Sequence, residues 1–372
     1  MKKLKKYPLT FIILSFIFIV FVIDIFNSDI YFSNYENRTL AQKPNINYSD
    51  FISGRFSKNY ERYINDQFIV RDNWINLKSR NELLLGKLEN NNIIYGKENF
   101  LFDKVESIDF KSLEKNLTTI KDFVNRNTKS NISFMIIPSS FTVYRDLLPK
   151  GIDLIDEKSY IENIYSNFNN TKNIELVDLL EENKNEYIYY KTDHHWTSYG
   201  AYLAYKEFSK INNIVPVEIE ALNPNYVYDF YGTYFSKSKK FNVKSDTITF
   251  YDLNNIEVTI DGVEVDSINY DEKWSSSDKY SGFLRGNNGL TVINNKDIQD
   301  NSRILVIKDS YANSYIQFLA NNYKEVYIID LRSFPYNFNE FYENYNFDNV
   351  LIMYSFINLV NDVYISKLKY WY

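Results

Sequence analysis

Residues 303–314 read RILVIKDSYANS, an apolar run that ends at Asp309 and Ser310. A helix-like segment follows over about residues 312–321. A strand that turns sharply into a helix is typical of a serine nucleophile, because the bend exposes the hydroxyl at the carboxyl end of a sheet. Backbone N–H groups at the helix start can then hold a developing oxyanion. In a simpler interpretation, Asp309 or Ser310 only caps the helix.

Helix-like and strand-like segments alternate on both sides of this turn. The segments are residues 111–125, 132–138, 159–169, 174–179, 325–330 and 349–354. Such alternation predicts an α/β fold with a parallel sheet flanked by helices.

A polar, β-rich segment over about residues 215–295 interrupts the alternation. It contains the runs TITFYDL, IEVTI and VEV, and Asp261-Gly262 lies between two of them as a tight hairpin turn. We therefore expect an antiparallel β-rich insertion within a single catalytic domain of residues 99–372.

The N-terminus carries a membrane signal. Residues 8–23 are uncharged and mostly Ile, Phe, Val and Leu, at the short end of the length that spans a bilayer, and no A-x-A-like cleavage site follows. Lysines precede this run at Lys2, Lys3, Lys5 and Lys6, so the positive-inside rule leaves the later residues outside the cytoplasm. We expect a cytoplasmic tip and transmembrane anchor over residues 1–26, then a stalk and helical region over residues 27–98.

Composition excludes several classes of function. The 372-residue chain has a net charge of -6 and no long basic run after its first residues, so it lacks the charge pattern of a nucleic-acid-binding protein. The absence of Cys rules out disulfides, thiolate metal sites and a Cys nucleophile. No nucleotide-binding glycine loop is evident, so we expect no organic cofactor.

Both histidines of the chain fall in the segment Thr192-Asp193-His194-His195-Trp196. Histidine is suited to take and return a proton near neutral pH, and a neighbouring carboxylate fixes its tautomer and stabilises its cation. Asp193 and His195 supply both parts. Ser310 needs such a base, so the two segments together favour a Ser-His-Asp group.

Other interpretations of the histidine segment remain open. They are a structural Asp-His pair, a helix cap at Asp193 or Thr197, and a metal site that uses both histidines with a distant carboxylate. Adjacent side chains on an extended segment point in opposite directions, which makes joint ligation of one ion awkward. We therefore expect no metal.

The string Asp193-His194-His195-Trp196, paired with Lys308-Asp309-Ser310-Tyr311, resembles the signature of the DHHW proteins. These are relatives of the alginate O-acetyltransferases, whose fold is similar to that of SGNH hydrolases. Further agreement lies in Glu36-Asn37-Arg38, Asn65-Asp66-Gln67-Phe68, Arg71-Asp72, Gly96, Leu101-Phe102, Leu148-Pro149 and Asp330-Leu331-Arg332. The resemblance covers nearly the whole chain after the apolar run and implies an SGNH-hydrolase-like fold.

The resemblance also implies roles for individual residues. Ser310 would be the nucleophile, His195 the general base and Asp193 its orienting carboxylate. The reaction would be O-acetyl transfer to a cell-surface or secreted polysaccharide through an acyl-enzyme. A multi-pass membrane acyltransferase would be the partner that supplies acetyl groups.

Two departures from the SGNH pattern leave alternatives open. Lys308 stands where Gly usually precedes Asp-Ser, and no clear Gly-x-Asn-Asp block is present, although Gly286-Asn287 could place an amide near the oxyanion. Asn287 and Tyr311 are therefore candidate oxyanion or substrate contacts. The alternatives are a carbohydrate acetylesterase, in which water is the final acceptor, and a non-catalytic polysaccharide-binding or scaffold component.

Overall fold

A computed structural model of the chain describes residues 7–240 and 242–369. The chain divides into two compact units. One comprises Met1–Lys87 with Lys239–Asn242, and the other comprises Leu88–Ser238 with Val243–Tyr372.

The first unit is mostly helical. Its elements are α1 (Pro8–Ile25), β1 (Phe32–Ser33), β2 (Arg38–Thr39), α2 (Tyr48–Ile52), α3 (Arg55–Gln67) and α4 (Arg71–Leu84). Within the described residues, α1 alone is long and apolar enough to cross a membrane, with a mean hydropathy of 2.6. Helices α2, α3 and α4 lie within residues 27–98, the range predicted to hold a stalk and a helical region, and the β1–β2 hairpin precedes them.

Charged side chains tie the β1–β2 hairpin to α3 and α4. Arg38 donates hydrogen bonds of 2.6 and 2.9 Å to Asp66, and Arg71 donates one of 2.9 Å to Glu36. The hydrogen bonds from Arg38 hold the pKa of Asp66 below its ordinary value, although burial opposes them. These residues come from the segments that carry the family resemblance, so their contacts give those segments an architectural role.

The second unit is built on a large mixed sheet. Its strands are β3 (Glu89–Asn90), β4 (Ile93–Tyr95), β5 (Leu101–Asp103), β6 (Asn131–Ile137), β7 (Lys172–Ile174), β8 (Pro224–Phe230), β9 (Asp246–Tyr251), β10 (Ile256–Ile260), β11 (Val263–Val265), β12 (Leu290–Asn295), β13 (Arg303–Lys308), β14 (Glu325–Ile329) and β15 (Asn349–Ser355). Eight of them form one sheet in the order β11-β10-β12-β14-β13-β15-β6-β7. The strands from β14 to β7 in this order are parallel, and β12, β10 and β11 continue the sheet antiparallel. Smaller antiparallel sheets join β3, β4 and β5, and β8 and β9.

Helices surround this sheet in the chain order expected of an α/β fold. They are α5 (Phe110–Arg126), α6 (Ser140–Val143), α7 (Glu157–Ser166), α8 (Val177–Glu182), α9 (Ser198–Asn212), α10 (Thr233–Ser238), α11 (Asp271–Trp274), α12 (Ile316–Leu319), α13 (Phe338–Asn344) and α14 (Phe356–Asn361). Short 3-10 helices lie at Lys97–Asn99, Arg145–Leu147, Ile219–Ala221, Lys279–Arg285, Ser310–Ser314 and Val363–Leu368.

The core lies on the central strands β13 and β15. Ile304, Leu305, Val306 and Ile307 of β13 are completely buried. A parallel strand covered on both faces reads as a continuous apolar run, which is why residues 303–308 could be recognised as a strand. Because β13 is central, the residues that follow it emerge at the middle of the carboxyl edge of the sheet.

The predicted fold class is confirmed: the chain is α/β, with a parallel set of strands, antiparallel β structure and one apolar N-terminal helix. The predicted hairpin at Asp261-Gly262 is also present. Ile260 pairs with Val263 across it, and both turn residues have positive φ, 48° for Asp261 and 83° for Gly262. Positive φ at both central positions is what a tight hairpin turn of this kind requires.

The antiparallel strands β10, β11 and β12 of the predicted insertion extend the main sheet, because β12 pairs with β14. Two details of the predicted elements differ from the structure. The apolar run 174–179 divides between the end of β7 and the start of α8. The predicted helix 312–321 is a 3-10 helix followed by the single turn α12, since Asp309 caps a tighter turn than an α-helix would give.

Candidate active site

Two distant segments meet at the carboxyl end of β13. One is the 3-10 helix Ser310–Ser314. The other is the loop that precedes α9, which is closed by a bridge between Tyr189 and Trp196. The carboxyl ends of parallel strands are where open α/β sheets bind their ligands.

Asp193, His195 and Ser310 form one line of hydrogen bonds. The Nδ1 atom of His195 lies 2.6 Å from Asp193 Oδ1, and its Nε2 atom lies 2.8 Å from Ser310 Oγ. The ionised carboxylate can only accept, so Nδ1 carries the proton and Nε2 accepts from the serine hydroxyl. Asp193 and His195 are buried and Ser310 is half-buried. The arrangement can therefore transfer the serine proton to an imidazole whose cation is stabilised from behind.

The carboxylate of Asp193 is fully hydrogen-bonded. Its Oδ2 atom accepts from the backbone N–H of Thr233 at 2.8 Å and from the Thr233 hydroxyl at 2.7 Å. Burial would raise the pKa of Asp193, but the two imidazoles and the Thr233 bond hold it well below its ordinary value. Gly232 lies so close that a Cβ atom there would be 2.2 Å from Asp193 Cβ. The Gly232-Thr233 turn thus wraps around the carboxylate and keeps it ionised.

His194 lies beside His195 rather than on the opposite side of the chain. The two ring centroids are 3.8 Å apart, and Nδ1 of His194 is 2.7 Å from the Thr233 hydroxyl. Desolvation by the surrounding side chains and the neighbouring His195 lower the pKa of His194 to about 3, although part of the ring is exposed, so this imidazole is neutral at physiological pH.

The prediction that the two histidine side chains point in opposite directions, which argued against a metal site, is therefore wrong. Asp193, His194 and His195 each bring one ligand atom within 4.8 Å of the others. The loop bends at these residues, so the alternation of an extended strand does not apply to them. Asp193 Oδ1 and His195 Nδ1 are nevertheless already hydrogen-bonded to each other.

Trp196 connects the histidine loop to the nucleophile turn. Its indole N–H donates to the Tyr311 carbonyl at 3.0 Å and to the Ser314 hydroxyl at 3.1 Å, and the side chain is completely buried. Tyr311 returns a hydrogen bond from its hydroxyl to the backbone carbonyl of His194. These contacts fix the spacing between the base and Ser310. Tyr311 was a candidate oxyanion or substrate contact, and its hydroxyl proton is donated to His194 in this structure.

The phenol ring of Tyr280 covers His195. The two rings are stacked, with centroids 3.7 Å apart and planes 8° apart. The Tyr280 hydroxyl donates to the Ser310 carbonyl at 3.2 Å. Tyr280 therefore holds both the base and the nucleophile turn.

Asp309 fastens the nucleophile turn to the neighbouring strand. Its Oδ1 atom caps the turn by accepting from the Tyr311 N–H at 3.0 Å. Its Oδ2 atom accepts from the N–H and hydroxyl of Ser355, at the end of β15, and from the Asn358 amide. The N–H of Tyr311 is therefore not free for an oxyanion, whereas no described residue accepts from the N–H of Ser310.

Lys308 is buried and contacts Asn287. Its ammonium lies 3.0 Å from Asn287 Oδ1, 2.7 Å from Asn313 Oδ1 and 3.6 Å from Asp330 Oδ2. Burial lowers the pKa of Lys308 to about 8, while Asp330 acts in the opposite direction. Asn313 Nδ2 also donates to Asn287 Oδ1 at 3.2 Å. The oxygen of the Asn287 amide is thus held by two donors, and no described residue accepts a hydrogen bond from its NH₂ group.

A second buried carboxylate, Asp246, supports the histidine loop. Its two oxygens accept from the Tyr187 hydroxyl, from the backbone N–H groups of Lys191 and Thr192, and from the Thr192 hydroxyl. Thr192 in turn accepts from the N–H of Gly232 at 3.1 Å. The residue directly before Asp193 is therefore fixed from both sides.

The sequence interpretation missed Tyr280, Thr233, Gly232 and Asp246. None lies in a recognisable motif, and each reaches the site only through the tertiary fold. Trp196 is the last residue of the DHHW string, but its hydrogen bond to the Tyr311 carbonyl could be recognised only from the structure.

Comparisons with known proteins identify the family of the chain and structures with a similar fold. The sequence model of the DHHW protein family matches residues 122–329, more than half of the chain. The fold is similar to that of a DHHW family protein from Eubacterium siraeum, at 22% identity and a TM-score of 0.66, over 75% of this chain and 95% of that one. It is also similar to PatB1 of Bacillus cereus, at 20% identity and a TM-score of 0.63, over 75% of this chain and 99% of that one.

A more distant likeness links the chain to the O-acetyltransferase domain of AlgJ from Pseudomonas putida. The identity is 14% and the TM-score 0.46, over 74% of this chain and 98% of that domain. Among curated protein sequences, none matches significantly.

Proposed function

We propose that this chain, which belongs to the DHHW protein family and has an α/β fold, is an SGNH-hydrolase-like O-acetyltransferase acting on a cell-surface or secreted polysaccharide. The observation that carries the proposal is the hydrogen-bonded line from Asp193 through His195 to Ser310. A serine held at 2.8 Å from a carboxylate-oriented imidazole is the arrangement that acyl transfer needs.

The proposed reaction has two halves. In the first, Ser310 Oγ attacks the carbonyl carbon of an acetyl donor while its proton passes to His195 Nε2. The bond to the donor's leaving oxygen breaks, the imidazolium returns the proton to it, and acetyl-Ser310 remains. In the second half, His195 removes the proton of a sugar hydroxyl, which attacks the acyl-enzyme. Ser310 then leaves with the proton from His195, and Asp193 stabilises the imidazolium in both halves.

The developing oxyanion requires donors near Ser310. We assign this role to the backbone N–H of Ser310 and to the NH₂ group of Asn287. Neither donor has an acceptor among the described residues, and Lys308 and Asn313 hold the oxygen of the Asn287 amide. Such donors contribute only when charge develops on the carbonyl oxygen.

The helix α1 supports a location at the cell membrane. It is an 18-residue apolar helix, and lysines precede it in the sequence, which favours a single-pass anchor with a cytoplasmic N-terminus. Residues 27–98 would then form the membrane-proximal part and residues 99–372 the external catalytic domain. A catalytic domain outside the cytoplasm has no direct access to cytoplasmic acetyl donors, so a multi-pass membrane acyltransferase is the proposed supplier of acetyl groups.

The test is product analysis with the full-length protein in detergent. The protein is incubated with an activated acetyl ester and an oligosaccharide, and acetylated sugar and free acetate are measured by mass spectrometry. We expect acetylated sugar from the parent protein and none from Ser310→Ala. Free acetate alone would identify an esterase, and neither product would favour the binding or scaffold role.

A further inference from the structure

One carboxylate orients both imidazoles of the site. Oδ1 of Asp193 faces His195, whereas Oδ2 faces the Thr233 hydroxyl, which in turn faces Nδ1 of His194. The two histidines therefore lie on two branches of one hydrogen-bond network.

The network assigns the tautomer of His194. A hydroxyl has a single proton, and that of Thr233 is donated to the ionised Asp193 at 2.7 Å. Thr233 can then only accept from His194, 2.7 Å away, so Nδ1 of His194 must carry the proton. In a neutral imidazole this leaves Nε2 with a lone pair and no proton.

The Nε2 atom of His194 is available to a ligand. No described residue contributes a hydrogen bond to it, and the His194 side chain is 31% exposed, against 6% for His195. The two rings lie 3.8 Å apart, and the rings of Tyr234 and Tyr311 flank His194 at 6.0 and 5.9 Å. The Nε2 atom of His194 is therefore a hydrogen-bond acceptor on a partly exposed side chain directly beside the base His195.

We propose that His194 binds the incoming sugar, with Nε2 accepting a hydrogen bond from a hydroxyl next to the one that becomes acetylated. This inference rests on the proposed transferase function. The lone pair on Nε2 favours the sugar over the acetyl donor as its ligand. The acyl portion of an acetyl ester has no proton to donate, whereas a sugar has several hydroxyl groups. His194 thus acts on the acceptor half of the reaction and favours a polyhydroxylated acceptor over water.

The test separates the two half-reactions in the full-length protein. Acetyl-Ser310 is formed from an activated ester and followed by intact mass. Its decay is then measured with and without increasing oligosaccharide. The variants are His194→Asn and His194→Gln. The amide NH₂ of Asn can donate to Thr233 as Nδ1 does, but this side chain does not reach the position of Nε2, whereas the longer Gln side chain can place its amide oxygen there.

We expect His194→Asn to lower kcat/KM for transfer to the sugar about tenfold more than it lowers the rate of acylation, and His194→Gln to recover part of that difference. Equal losses in both half-reactions, or no recovery by Gln, would overturn the assignment and make His194 a packing residue. A parent protein that never forms acetyl-Ser310 would refute the proposed function itself, and the acceptor site with it.

Discussion

The phenol ring of Tyr280 lies flat on the imidazole of His195, with the ring centroids 3.7 Å apart. This contact restricts the base to the plane in which Nε2 meets Ser310. Tyr280→Leu should therefore lower the acylation rate about 10- to 100-fold, since a small displacement of a catalytic group is costly. Tyr280→Phe keeps the ring, loses the hydroxyl contacts to the Ser310 carbonyl and the Ser314 hydroxyl, and should cost about threefold. Equal losses in the two variants, measured by single-turnover acylation, would show that the hydroxyl is the important group.

Gly232 leaves room for the catalytic carboxylate. A Cβ atom there would lie 2.3 Å from Asp193 Oδ2 and 2.6 Å from its Cγ, so Gly232→Ala must displace Asp193. We expect acylation to fall by about 100-fold or more. Thermal unfolding of the same variant provides the control. An active Gly232→Ala protein would mean that Asp193 does not need its present position.

Asn287 is predicted to be an oxyanion donor, with its amide orientation set by Lys308 and Asn313. Asn287→Ala should then lower the acylation rate about 100-fold, the usual effect of removing one such donor. The matched control is Asn288→Ala, because the amide of Asn288 is bound to the Leu284 carbonyl instead. Similar rates for the two variants would assign Asn287 to the loop structure alone.

Glu157 makes stability depend on pH. It is completely buried, accepts from the N–H and hydroxyl of Ser139 at 2.9 Å, and burial raises its pKa from 4.5 to about 7. Between these values the folded state binds more protons at Glu157 than the unfolded state, so the contribution of Glu157 to stability is fully present below pH 4.5 and is lost as the pH rises to 7. The loss corresponds to about 3 kcal/mol.

The check on Glu157 is a comparison with Glu157→Gln by chemical denaturation at pH 4.5 and 7. The free energy of unfolding of the parent, relative to the Gln variant, should decrease by about 3 kcal/mol over that interval. Parallel pH profiles would show that Glu157 titrates normally.

Local patterns explain how much of the fold could be predicted. The strand before Ser310 is covered on both faces and is therefore apolar throughout, and Asp261-Gly262 has the chemistry of a tight hairpin. Strand order has no such local signal. Nothing in residues 290–295 indicates that they pair with β14, so the antiparallel strands could be predicted but their place in the main sheet could not.

The candidate site likewise contains some residues that could be predicted from the sequence and others that could not. Asp193, His195 and Ser310 were selected for their chemistry, and the fold brings His195 and Ser310 together across 115 residues. Thr233 and Tyr280 carry no chemical signature in the sequence, because a threonine or tyrosine becomes informative only when its neighbours are known. The relation between His194 and His195 was predicted wrongly, since the backbone bends where an extended segment was assumed.

The most direct test of the account is the intact mass of the full-length protein after incubation with an activated acetyl ester, alongside Ser310→Ala and His195→Ala. We predict that the parent protein gains one acetyl group, that Ser310→Ala gains none, and that His195→Ala is acetylated at a rate at least about 1,000-fold lower than the parent. A parent protein that gains no acetyl group and releases no acetate, or an adduct that persists in Ser310→Ala, would contradict this prediction.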